Sequence, residues 1–155
     1  MRMVLLLTAL ISVSCTVAIG PDDALGVWRV RPDRVPGPYP DVLTIRFEPH
    51  IKGEVFTLDS IDADGHRSTS STILYFDGKP RDFQDPVCSG TQSAWRIDSN
   101  TVEILRNCAN GRVIRFVRRS TGQPKELILE ITEKQPDGSH QERRLVLEKQ
   151  PTTKL

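Results

Sequence analysis

The chain has 155 residues, 21 Lys+Arg against 20 Asp+Glu for a formal net charge of +1, and 37% hydrophobic residues. That is one domain's worth of sequence with apolar content for a single core, and its near-neutral balance lacks the basic excess that a phosphate backbone or an anionic membrane surface demands. Nucleic acid is excluded as a partner, and so is a transmembrane helix, which needs about 20 apolar residues where the longest run here is Val4 to Ile11.

Arg2 followed by that run reads as the charged and apolar regions of a signal segment over residues 1–18, leaving a mature domain over residues 19–155. Thr16 and Ala18 suit cleavage after Ala18. Ser12-Val13-Ser14-Cys15 resembles instead a bacterial lipoprotein box, in which a lipidated Cys15 would tether the mature protein to a membrane surface without changing its fold. Both readings place the protein outside the cytoplasm, in the periplasm or the extracellular space, and Arg2 departs with the signal to leave a neutral mature chain.

From Trp28 onward, short alternating segments are separated by Asp64-Gly65, Asp77-Gly78, Asn110-Gly111, Thr121-Gly122 and Asp137-Gly138. Glycine supplies the positive φ of tight hairpins, so these dipeptides predict antiparallel strands in meander order. The first strand runs from Gly26 to Arg31. A connection with prolines at 32, 36, 38 and 40 follows, which can continue neither a ladder nor a helix. Val42 to Glu48 points Leu43, Ile45 and Phe47 to one face. In Glu54 to Asp62 the inward set is Phe56 with Leu58, or Val55 with Thr57; in Arg67 to Phe76 it is Ile73 with Tyr75, or Leu74 with Phe76. A short segment, Arg81 to Phe83, precedes strands at Gln92 to Ile97, Thr101 to Asn107, Arg112 to Arg119, Glu126 to Thr132 and Gln141 to Lys149. The last two alternate most cleanly, with Leu127, Leu129 and Ile131 on one side and Leu145 with Leu147 on one side. Helical periodicity is missing from the mature chain.

Eight to ten strands joined by short turns predict an all-β, antiparallel up-and-down barrel, because closure covers the sheet edges. A two-layer sandwich would need longer crossing connections. Cys88 and Cys108 flank a hairpin that brings them together, and in an oxidising compartment they are expected to form a disulfide closing a loop of about 20 residues, worth about 3 kcal/mol. No histidine falls in a strand beside either cysteine, so neither is expected to be a nucleophile. Asp59 with Asp62, and Asp82 with Asp85, have no metal-loop spacing and read as turn formers. No cofactor, metal ligand set or catalytic residue is expected, and the protein reads as no enzyme.

Gly26-Val27-Trp28 at the start of the first strand, together with Leu43-Thr44-Ile45, Asp62-Ala63-Asp64-Gly65, Tyr75-Phe76-Asp77-Gly78-Lys79, Arg96-Ile97-Asp98 and Leu147-Glu148-Lys149, resembles small secreted lipocalin-like, calycin-type barrels of bacteria, a largely uncharacterised group. The pair Cys88 and Cys108 departs from that pattern. The resemblance implies that Trp28 packs at one end of the barrel under a cation from a late strand, with Arg118 or Arg143 in that place. A hollow barrel would make Trp28, Phe47, Tyr75, Phe116 and Arg118 the ligand-binding set, the last binding an acidic head group. Two functions follow: an exported carrier of a small hydrophobic or amphipathic ligand, or a barrel filled by its own side chains that acts as an envelope-associated interaction module, with Pro36 to Pro40 as its exposed loop.

Overall fold

A computed structural model describes residues 24–34, 42–122 and 126–151. The signal segment, Cys15 and the loop from Pro36 to Pro40 lie outside the described residues. Among the described residues there are ten antiparallel strands: β1 (Gly26–Val30), β2 (Val42–His50), β3 (Gly53–Ile61), β4 (Arg67–Tyr75), β5 (Arg81–Gln84), β6 (Ser89–Arg96), β7 (Thr101–Cys108), β8 (Val113–Ser120), β9 (Glu126–Lys134) and β10 (His140–Lys149). The one helical element among the described residues is a single 3₁₀ turn at Pro32–Arg34, so no described helix is long and apolar enough to cross a membrane.

The strand order β4-β3-β2-β1-β10-β9-β8-β7-β6-β5 is an up-and-down meander whose first strand pairs with its last through Trp28–Lys149 and Val30–Leu147. The turns follow the expected chemistry. Gly65, Gly78, Gly111 and Gly138 take φ of 70–88°, which L side chains resist; Gly122 does not, so the Thr121-Gly122 bend is no tight glycine turn of this kind. Elsewhere a glycine permits close approach, for a Cβ on Gly90 would stand 2.0 Å from the carbonyl oxygen of Asn107 on β7.

The sheet curls into a barrel that is nearly closed. β4 and β5 are not hydrogen-bonded to one another; at this seam Gly78 N–H donates to Ala94 O at 2.9 Å, and Gln92 Nε2 donates to Thr72 Oγ1 at 3.2 Å. Both ambiguous strands are settled by packing on the inner face. Phe56 lies on Phe47 with centroids 5.3 Å apart, and Leu74 is fully buried, so Phe56 with Leu58 and Leu74 with Phe76 form the inward sets. A large cluster around Trp28, Ile45, Phe47, Leu127, Leu129 and Leu147 fills one part of the barrel, and a smaller one of Phe83, Cys88, Cys108 and Ile114 fills the other. Phe116 and Ile131, partly buried, touch both.

Candidate functional site

Alternation along β3, β7 and β8 sends charged residues inward as well as apolar ones. Glu54 shares the inner face of β3 with Phe56, Arg106 that of β7 with Val102 and Ile104, and Arg118 that of β8 with Ile114 and Phe116. Burying a lone charge is costly, and each of these is paired. Arg118 Nη1 donates to Glu54 Oε2 at 2.5 Å, the guanidinium lies 4.3 Å from the centroid of Phe47, and Arg96 Nη2 reaches Glu54 Oε1 at 3.4 Å. Three strands are thereby tied through one carboxylate.

The second network lies beside the smaller cluster. Arg106 sits between the rings of Phe83 and Phe116, at 4.0 and 4.9 Å, while its Nε donates to Gln92 Oε1 at 2.9 Å and its Nη1 to Asp85 Oδ2 at 3.0 Å. Burial pulls the guanidinium pKa down to about 10, with Asp85 opposing the shift. Asp85 also accepts backbone N–H bonds from Val87 and Cys88 through Oδ1, so it forms its turn as expected and in addition neutralises a buried cation. The adjoining disulfide, Cys88–Cys108, has its Cα atoms 5.3 Å apart and joins the β5–β6 turn to the end of β7.

Between these networks the wall opens. A cleft of about 320 Å³ lies at the seam, lined by Thr72, Ile73 and Tyr75 of β4, Arg81 and Asp82 of β5, and Gln92 and Ala94 of β6. Arg81 is held over the Tyr75 ring at 4.1 Å and bonds both oxygens of Asp77, whose carboxyl is kept well below the usual range chiefly by that contact. Gln92 links the cleft to the interior, since its amide Nε2 donates to Thr72 across the cleft and its Oε1 accepts from Arg106 inside the barrel.

The residues expected to gather around a ligand do not form one pocket. Trp28 is buried, donates Nε1–H to Ala24 O at 2.6 Å, and carries Lys149 Nζ at 5.3 Å from its ring; the cation over it is its cross-strand neighbour, where Arg118 or Arg143 was expected. Phe47 and Arg118 are together in the packed interior, Phe116 lies against Arg106, and Tyr75 is on the outer wall at the cleft with His50 edge-on to it. Arg143 pairs at 3.9 Å with Glu133. Glu54, Gln92 and Arg106 were not singled out from the sequence, and Asp85 was read only as a turn former. Their signal was there in part: Glu54 is in phase with Phe56, and Arg106 with Ile104, an acid and a base at inward positions. Asp62, Asp64 and His66 come within 4.8 Å of one another at the β3–β4 turn, all exposed, with Asp62 Oδ1 already accepting the N–H groups of Asp64 and His66.

A scan against protein-family models finds no match. A search of curated proteins finds none either. Among solved structures, the chain is similar to a Schistosoma mansoni fatty acid binding protein in complex with arachidonic acid, with a TM-score of 0.53, 9% identity, and coverage of 83% of this chain and 97% of that one. The fold resembles that of this fatty acid binding protein. At this identity the likeness speaks to architecture, and the ligand in that structure belongs to that protein.

Proposed function

We propose that this chain is an exported, non-enzymatic barrel that binds a small amphipathic molecule at the seam between β4 and β6. The observation carrying the reading is the cleft of about 320 Å³ at the seam where, among the described residues, isolated bonds from Gly78 and Gln92 stand in place of a backbone ladder. Its volume is at the small end of ligand sites, and it combines an aromatic ring and aliphatic groups with hydroxyl and amide groups, the Arg81 guanidinium and the Asp82 carboxylate. The architecture shared with a fatty acid binding protein supports an apolar moiety in the ligand, and the signal-like residues 1–18 with the Cys88–Cys108 disulfide support export. Trp28, Phe47 and Arg118 support the wall from within, while Tyr75 faces the ligand and Phe116 lies behind Arg106.

One observation favours the second function, a filled interaction module. Ile45, Val102, Leu127 and Leu147 are each 0% exposed, so the part of the barrel around them is closed by its own side chains. Native mass spectrometry of protein recovered from the compartment to which it is exported separates the two readings. A retained mass of a few hundred daltons, and competition with a fluorescent fatty acid, are expected; a bare polypeptide mass with no probe uptake would sink the carrier reading in favour of the module. The same spectrum reads the N-terminus, distinguishing cleavage after Ala18 from an acylated Cys15.

A further inference from the structure

We infer that β4 is a self-association edge, through which two copies of this chain pair antiparallel about a two-fold axis near Thr69. The sheet has two outer edges, and they are built differently. β5 is four residues long and begins with Arg81-Asp82, the short charged type of edge that resists strand addition. β4 is nine residues long, pairs among the described residues only with β3, and from Ser68 to Tyr75 contains no charge, proline or glycine. Its lower end meets β6 through Thr72 and the nearby Gly78, but Arg67, Ser68, Thr69 and Ser71 are exposed, and among the described residues no backbone group from another strand lies along that outer edge.

Charge selects a second copy as the occupant. With Thr69 facing its own copy, Ser68 faces Ser70 and Arg67 faces Ser71, so no like charges are opposed and hydroxyls meet hydroxyls. Asp59, which accepts a bond from Thr69 Oγ1 at 2.5 Å, would stand about 14 Å from its counterpart at ordinary strand spacing, beyond the ~10 Å reach of charges in 0.1 M salt. The formal net charge of +1 adds no long-range repulsion. Pairing of β4 with β5 of another copy would be heterologous and open-ended, and the short charged β5 edge opposes it; pairing of β4 with itself closes after two copies. The contact is small, so association is weak and concentration-dependent.

Sedimentation velocity of the disulfide-bonded protein from about 10 μM to about 1 mM tests this. The sedimentation coefficient is expected to rise towards that of a dimer, and Thr69→Lys, which places two ammonium groups across the axis on an exposed site, should weaken association roughly tenfold or more. Independently of how well that variant folds, Thr69→Cys should be captured as a dimer by a short bis-maleimide while Asp82→Cys, on the other edge, stays monomeric. No concentration dependence, an unchanged Thr69→Lys, or equal capture through Asp82→Cys would each overturn the inference.

Discussion

Glu54 on β3 and Arg118 on β8 stand 64 positions apart in the chain, yet meet inside the barrel with Nη1 and Oε2 at 2.5 Å and side chains 3% and 1% exposed. Removing one member of such a pair leaves the other charge in a medium that solvates it poorly. Glu54→Gln, which takes away the carboxylate shared by Arg118 and Arg96, is expected to lower unfolding free energy by about 3–5 kcal/mol in urea denaturation. Replacing both partners by Leu and Met should restore more than half of that. A Glu54→Gln loss below about 1 kcal/mol contradicts this account of the interior.

Arg106 and Asp85 obey the same rule at the other cluster, with a testable pH window. The guanidinium pKa is depressed to about 10, so Arg106 is charged throughout the neutral range and its need for Asp85 is constant there. Asp85→Ala should therefore reduce the melting temperature by the same amount at pH 6 and pH 8. Since a neutral guanidine makes no demand for a carboxylate, the penalty shrinks only in strong alkali. A penalty that disappears by pH 8 contradicts the assignment.

Gln92→Leu separates the cleft from the ionic interior. The substitution removes the acceptor of Arg106 Nε and the donor to Thr72, leaving a buried donor short of a partner at a cost of about 1–3 kcal/mol. It should also weaken uptake of an anionic fluorescent amphiphile, read by titration at a temperature where both proteins remain folded. Unchanged uptake would move the ligand away from the seam.

The Cys88–Cys108 bridge closes a loop with a sequence separation of 20, for which loop entropy predicts about 3 kcal/mol. Replacing both cysteines by serine should lower the denaturant midpoint accordingly. Hydrogen exchange should rise first in the β5–β6 turn, where the bridge and Asp85 act together.

Asp77 supplies an acid-side signature. Its carboxyl is depressed, first by the Arg81 contact and next by the Lys79 N–H, so its stabilising contribution is present above the unfolded pKa of about 4 and fades as pH falls through the folded value. Because both side chains reach solvent, the site contributes modestly. Asp77→Asn should differ from the parent at pH 6 and converge on it in strong acid, with carbon-detected titration of Asp77 showing the low midpoint directly.

The strands and most turns were legible because their causes are local. Leu43, Ile45 and Phe47 must share a face whatever lies opposite, and glycine at 65, 78, 111 and 138 is what a tight reversal at those points requires. The cysteine pair was legible for the same reason, through the hairpin that joins β6 to β7. Glu54 to Asp62 could not be resolved alone, because Phe56 and Val55 are both apolar; the choice fell to Phe47, which stacks on Phe56 from the neighbouring strand.

By itself, then, the amino-acid order determined an alternation of eight to ten strands with turns and the pairing of Cys88 with Cys108, since each depends on residues a few positions apart or on one hairpin. Only the tertiary arrangement decided that Lys149 covers Trp28, that Glu54 neutralises Arg118, and that Thr72 and Gln92 bridge the seam where the ladder stops. Those contacts depend on how far each strand slides against the next around the barrel, and that stagger is the sum of many side-chain packings that no short stretch of sequence contains.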